Sequence, residues 1–293
     1  MLITIGIVIL GIDKGIERAS IILMPIMFVL LFLLVFRSIT LEGAGAGISW
    51  YLKPDFSVLN REIVLGALGQ VFFSLSLGMG SIITYGSYLS KEENIPQNAL
   101  IISIADLTIA IIAGLIIIPA VFAFGLEPEI GPPLIFITLP LVFGSLPFGS
   151  IFGGLFFLLL SIAAVTSSIS ILEVLVAYYT DEFNWSRKTV AIIAGLVIFT
   201  LGIPSSLSMG ILSNFTIFNL PILDFMDALA SKFLLPTSGF LIAIFIAWSW
   251  KPAGLLEEIR KNDINFSLWK PWSFIIKFVL PIVLAYILIS GLL

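Results

Sequence analysis

Residues 63–90 form an apolar stretch long enough to cross a bilayer as a helix, yet its middle resists being one. There the chain reads Ser74-Leu75-Ser76-Leu77-Gly78-Met79-Gly80-Ser81, with Ser or Gly at every second position. Glycine is the weakest ordinary helix former, and serine hydroxyls compete for backbone hydrogen bonds. Inside lipid, unwound backbone survives only where it is buried in protein or lines a wet cavity. The interruption therefore predicts a solute or ion site at mid-membrane. The half-helix before it would end in free carbonyls, the half after it would begin with free N–H groups, and Ser74 and Ser76 add hydroxyl oxygens. A zwitterion beside a hard cation fits that pattern. A glycine kink packed against its neighbours fits the same residues.

The rest of the composition sets the class. Hydrophobic residues make up 59% of the chain and charged residues 11%, against about 25% charged in soluble domains. The chain is an all-α integral membrane protein by this reading, since its apolar runs are of helical rather than barrel-strand length. Cys and His are both absent, which excludes disulfides, imidazole metal ligands and Ser–His or Cys–His nucleophiles. No basic cluster points to nucleic acid. Seven full spans are expected near 18–38, 63–90, 98–125, 148–179, 189–210, 221–250 and 270–292, with a partial one at 1–12. The connections at 13–17, 91–97, 180–188 and 251–269 carry Lys14, Arg18, Lys91, Arg187, Lys188, Lys251, Arg260, Lys261 and Lys270. Those at 39–62, 126–147 and 211–220 carry only Lys53, with Arg37 and Arg61 at span edges. The first set faces the cytoplasm by the positive-inside rule. Trp50 and Tyr51 on the outer side, and Trp250, Trp269 and Trp272 on the inner, mark headgroup depth. The outer connection 126–147, with Pro128, Pro132, Pro133, Pro140 and Pro147 around a short apolar stretch, reads as a re-entrant or cap-like hairpin.

Four further groups of residues bear on chemistry. Asp106 is a carboxylate inside an apolar span, where acids face a partner or a water-filled path. Its alternative is an acid favoured by the dipole of its helix start. In the span 148–179, Thr166 and Ser167 offer hydroxyls and Ala163 an accessible carbonyl, an oxygen-only set that suits a hard cation. Small hydroxyl residues also mediate membrane helix packing. Glu173 lies nearer the inner end and reads as an interfacial or packing charge. Asp224 and Asp227 share a helix face near the outer end of 221–250. An aspartyl protease would need two facing acids at one depth, whereas Asp106 and Asp227 fall toward opposite ends of their spans.

Taken together, Lys14-Gly15-Ile16-Glu17-Arg18, Gly69 to Gly78, Ile137-Thr138-Leu139-Pro140 and Thr166-Ser167-Ser168-Ile169 resemble the neurotransmitter:sodium symporter family, specifically its bacterial amino-acid members. The resemblance implies a partial five-plus-five inverted repeat. Residues 1–38 would end the first repeat, 39–62 form an outer loop, 63–250 make the complete second repeat, and 251–293 an inner loop and an additional helix. The family's first three helices, which supply much of both sodium sites and a tyrosine over the substrate, have no counterpart in this sequence. Carried over by position, Ser74 and Asp106 would ligate a first sodium, and Ala163, Thr166 and Ser167 half of a second. Phe73, Ser74, Ser76, Met79, Ser167 and Ile171 would line the substrate site, and Phe73 with Asp227 would form the outer gate. Asp106 falls where many members have an asparagine, and its charge would make chloride unnecessary. Apolar Phe73, Met79 and Ile171 favour an apolar or aromatic amino acid.

The resemblance thus implies sodium-coupled symport of a neutral amino acid across the plasma membrane, with no enzymatic activity. A different class of function is a non-transporting remnant or accessory scaffold that requires a missing N-terminal segment or a second chain.

Overall fold

Prolines set the shape of several helices here. A computed structural model describes residues 1–126, 131–260 and 266–292; Pro128 and Lys261, named above, lie outside the described residues. Its helices are α1 (Leu2–Ile9), α2 (Arg18–Ile39), α3 (Ala44–Leu52), α4 (Arg61–Ser74), α5 (Ser81–Ser87), α6 (Ile95–Ala123), α7 (Leu139–Gly144), α8 (Gly149–Phe183), α9 (Arg187–Leu207), α10 (Ile222–Ala228), α11 (Leu235–Ile244), α12 (Lys251–Arg260), α13 (Trp269–Phe274) and α14 (Leu280–Leu292). Wide, π-type turns join several of these end to end, at Leu134–Thr138, Leu229–Leu234 and Ile275–Val279 among others. Pro140, Pro236 and Pro281 each follow one of those three turns. A proline ring clashes with the carbonyl four residues earlier, and here residues 136, 232 and 277 all lie within the widened turn. The widening lets the helix continue past its proline.

Among the described residues, six continuous helical stretches are long and apolar enough to span: Ile12–Ile39, Ile95–Ala123, Gly149–Phe183, Arg187–Leu207, Ile222–Arg260 and Trp269–Ile289. With the interrupted pair α4 and α5 they account for the seven expected spans. Large apolar side chains such as Phe32, Phe36 and Ile21 are exposed, as expected of helices whose solvent is hydrocarbon. The helical architecture expected from the apolar runs is the one observed, with one small addition: β1 (Thr216–Ile217) pairs antiparallel with β2 (Leu220–Pro221) in the outer connection before α10. Phe218 and Asn219 both have positive φ, the geometry of a tight two-residue hairpin turn. Of the hairpin expected over 126–147, residues 127–130 lie outside the described residues; 134–144 form one short helix, started by Pro132 and Pro133 and buried along Leu139, Val142 and Phe143. Of the two readings of Glu173, interfacial or packing charge, the structure selects the packing charge, as shown below.

The chain divides into two compact units. One comprises Leu2–Val58 and Ile104–Ile169. Its core joins Leu31 and Leu34 of α2, Ile116 and Val121 of α6, Leu139 and Phe143 of α7, and Phe156 of α8. The outer helix α3 lies against α6 through small residues: a Cβ on Gly47 would come within 2.8 Å of the Pro119 Cα. Tyr51 donates its hydroxyl to the Ala110 carbonyl at 3.4 Å. In water the apolar effect would drive such contacts; in lipid, close backbone approach and dispersion must do so.

The other unit holds Met1, Leu59–Ser103 and Ser170–Leu293. Here α11 packs along α14, with Leu235, Ala243 and Leu284 buried. The inner ends of α5, α8 and α9 meet at Glu173, whose side chain is fully buried. Arg187 donates to both of its carboxylate oxygens, at 3.0 Å to Oε1 and by a second, shorter bond to Oε2. Tyr88 adds a hydroxyl donor to Oε1 at 2.8 Å. One turn earlier Tyr85 donates to Ser170 at 3.1 Å. A carboxylate taken out of water persists only with such a full set of donors. Arg187→Ala should therefore cost about 3–5 kcal/mol by stranding the acid, while the paired change Glu173→Leu with Arg187→Leu should cost much less. Thermal unfolding in detergent of the two variants beside the parent checks this; equal losses would deny the pair its role.

Candidate functional site

The interruption expected at 74–81 is present. α4 ends at Ser74 and α5 begins at Ser81, and Ser76, Gly78 and Gly80 between them have φ of 53°, 84° and 85°. The end of α4 closes on itself: Ser76 N–H donates to the Phe73 carbonyl at 3.0 Å and Leu77 N–H to the Phe72 carbonyl at 2.9 Å. This is the pairing of a Schellman turn, with Ser76 in the left-handed position that glycine usually takes. Leu75 N–H takes the Val71 carbonyl at 3.0 Å. Three carbonyls expected to be free are thus consumed by the turn, a correction to the cation-binding half-helix end. The second half is only seven residues long, so its dipole is small, and its first side chain, Ser81, is buried without a partner among the described residues.

The unwound strand is held by α11. Ser238 donates its hydroxyl to the Gly78 carbonyl at 2.5 Å. Gly78 has no room for a side chain, since a Cβ would lie 2.7 Å from the Leu235 carbonyl oxygen. Gly239 admits the Phe72 ring, whose Cε1 would stand 2.5 Å from an added Cβ. On α8, Val174 meets Gly80 at 3.0 Å from where a Cβ would be. A cavity of about 290 Å³ opens beside the break, lined by Phe72, Ser76 and Gly78 and by Gly239, Ala243 and Leu284 among others. Ser76 is its single polar side chain, so it accommodates apolar matter.

The remaining site candidates sort by unit. Phe73, Ser74, Ser76 and Met79 lie on the turn, with Ile171 and Asp227, both exposed, in the same unit. Asp106, Ala163, Thr166 and Ser167 belong to the other unit. There Thr166 donates to the Ala163 carbonyl at 2.9 Å, so two of the three proposed second-sodium groups are already neighbours. Ser168 beside them pairs with Thr4 at 2.8 Å. Ala163, Ser167 and Ile171 follow one another at four-residue spacing along one face of α8, and of these Ser167 and Ile171 are exposed. Asp224 is exposed in the first turn of α10. Ser238, Gly239, Tyr88 and Arg187 did not stand out in the sequence. The Ser238-Gly239 pair inside an apolar span was the available signal for two of them; for Tyr88 and Arg187 only the buried acid reveals the role.

Residues 1–293 match the sodium:neurotransmitter symporter family along the whole chain. The chain belongs to that family. Among its relatives, the uncharacterized sodium-dependent transporter YhdH of Bacillus subtilis is 40% identical over 99% of this chain and 64% of its own. An uncharacterized sodium-dependent transporter of Haemophilus influenzae is 40% identical over 96% of this chain and 62% of its own. The crystal structure of MhsT in complex with L-phenylalanine matches with a TM-score of 0.88 and 47% identity, over 99% of this chain and 66% of that one. The chain thus spans a little under two thirds of the length of these relatives. The family's fold, with its discontinuous helix at 63–90, is the fold of this chain, a multi-pass membrane protein.

Glycine is required at 78 by both its φ and its neighbour, but not at 86, where nothing lies within 4 Å of an added Cβ. Gly78→Ala should destabilise the protein by about 2 kcal/mol or more, Ser238→Ala by about 1 kcal/mol, and Gly86→Ala not at all. Thermal melts of the three variants provide the comparison, and a harmless Gly78→Ala would break the packing account of the interruption.

Proposed function

We propose that this family member serves sodium-coupled symport of a neutral amino acid, apolar or aromatic, across the plasma membrane. The observation that carries the reading is the unwound strand at 75–80, half-buried and held by α11 beside an apolar cavity. MhsT, at 47% identity, is the relative solved with L-phenylalanine, which supports an aromatic or apolar side chain in this chain's substrate. In this reading Phe73, Ser76, Met79 and Ile171 surround that side chain, with Ser74 and Ser167 beside the substrate. Ser74 and Asp106 hold one sodium, and Ala163, Thr166 and Ser167 contribute to another. Phe73 and Asp227 guard the outer side. The Thr166 hydroxyl now bonded to Ala163 would turn toward the ion.

Coupling has a simple physical basis here. A sodium gradient moves a substrate only if the two bind cooperatively, and oxygen ligands shared beside the substrate carboxylate provide the coupling. Asp106 brings a carboxylate to a site that would otherwise need an anion, so chloride is not required in this proposal.

Binding of radiolabelled L-phenylalanine to membranes that contain the protein should rise with sodium and not with potassium. Joint replacement Thr166→Val and Ser167→Ala should weaken the sodium response about tenfold, the equivalent of about 1.4 kcal/mol. Asp106→Asn should lower sodium affinity in chloride-free buffer and recover part of it when chloride is added. Binding indifferent to sodium would overturn the symport reading, and an Asp106→Asn variant unchanged without chloride would overturn the role of the acid.

A further inference from the structure

A slot at the outer end of α4 plays no part in the function proposed above. Val64, Leu65 and Leu68 of α4 face Ile282 and Val283 of α14 around a cavity of about 540 Å³. Arg61 stands at the same cavity, with its guanidinium carbon 4.3 Å from the centre of the Tyr286 ring. Arg61 is exposed and forms no ion pair among the described residues. The Tyr286 hydroxyl is buried and has no hydrogen-bond partner among them.

Depth gives the slot its meaning. Asn60 caps α4 by accepting from the Ile63 N–H at 2.9 Å, and α4 runs 14 residues from Arg61 to the break. At 1.5 Å per residue that is about 20 Å. The hydrocarbon half-thickness is about 15 Å and the headgroup region ends about 20–22 Å from the midplane. With the break near the midplane, Arg61 stands at phosphate depth and the apolar slot runs inward from it along α4.

A cation at the phosphate level, an apolar slot beneath it and an unpaired hydroxyl beside it match one ligand chemistry. A soluble anion would leave the slot empty. A neutral hydrophobe would leave Arg61 without a counter-charge. A zwitterionic lipid would bring its own cation beside the guanidinium. We propose that α4 and α14 bind an anionic phospholipid, with its phosphodiester on Arg61, one acyl chain between Val64, Leu68 and Val283, and a lipid oxygen accepting from Tyr286. Guanidinium groups suit phosphate because they donate paired hydrogen bonds. The bound chain would brace the outer half of the interrupted helix against α14.

The test reconstitutes the full chain in vesicles of equal phosphatidylglycerol and phosphatidylcholine, extracts it in mild detergent, and measures the retained lipids by native mass spectrometry. Phosphatidylglycerol should be enriched about tenfold, as one charge-assisted contact of this kind would give. Arg61→Gln should bring the ratio near one, while Glu62→Gln, its exposed neighbour, should not lower it. Leu68→Trp should reduce retention of the lipid by filling the slot. A photoactivatable acyl chain on phosphatidylglycerol should label the segments around Val64 and Val283. Should Arg61→Gln not fold, Tyr286→Phe supplies the second arm, with a loss of about threefold. Equal retention of the two lipids by the parent, an unchanged ratio in Arg61→Gln or in a folded Tyr286→Phe, or displacement of the lipid by millimolar glycerol 3-phosphate would overturn the proposal, the last by showing a site for soluble anions.

Discussion

A backbone that leaves the helix at bilayer depth must find partners in the protein, because hydrocarbon offers none, and each unsatisfied group costs several kcal/mol. Much of the unit around α4 and α11 is arranged by that demand. The Schellman closure at Ser76 uses the carbonyls of Phe72 and Phe73, and Ser238 reaches across to the carbonyl of Gly78. That reach requires α11 to lie against the strand at backbone distance. Such proximity is possible because Gly78 and Gly239 carry no side chains where Leu235 and Phe72 come closest. α14 then packs along α11 from behind. A pair of glycines and one hydroxyl therefore organise three helices.

The same economy of polar groups appears at the inner ends. Glu173 is the one acid among the fully buried side chains of the described residues, and it receives donors from α9 and from the end of α5. These contacts tie the second half of the interrupted helix to α8 and α9 at its far end, while Gly80 rests on Val174 at its near end. The half-helix α5, too short to be stable alone at seven residues, is fixed at both ends by α8. The proline-linked π-type turns play a related part elsewhere. They let α7, α11 and α14 follow directly on widened turns, so that apolar spans continue through positions where a regular helix would kink.

Much of this was legible in the sequence because membrane chains advertise their irregularities. An alternation of Ser and Gly inside an apolar run has few explanations, and the break fell where that alternation lies. The spans followed from length and hydropathy, and the oxygen-bearing run at 163–168 sits on a helix as read. What escaped was whatever depends on a partner far away in the chain. Glu173 could be read as an interfacial or a packing charge, because nothing near it in sequence announces Tyr88 or Arg187 as partners. Ser238 is one serine in an apolar span until Gly78 is placed opposite it. The hairpin at 216–221 was missed because its turn, Phe218-Asn219, lacks the glycine that usually signals two residues of positive φ. The half-helix carbonyls were misjudged for a local reason: a serine took the left-handed position and closed the cap by itself.

The energies at the break bear on how it could work. A hydroxyl-to-carbonyl bond such as that from Ser238 to Gly78 is worth about 1 kcal/mol net, and the apolar cavity beside it contributes no strong polar contact. The strand is thus held by several weak contacts rather than one strong one. A ligand shifts a conformational equilibrium only by its difference in affinity for the two states, and about 5.5 kcal/mol takes a population from one hundredth to nearly all. On the proposed function, an ion and a zwitterion bound together would have to supply a difference of that size against a strand clamped by single hydroxyls. The tight elements, the buried acid and the Gly78 approach, would travel with their helices, and the weak ones would be exchanged. On the proposed function, that division between what is fixed and what is exchangeable is what lets one strand both enclose a solute and release it.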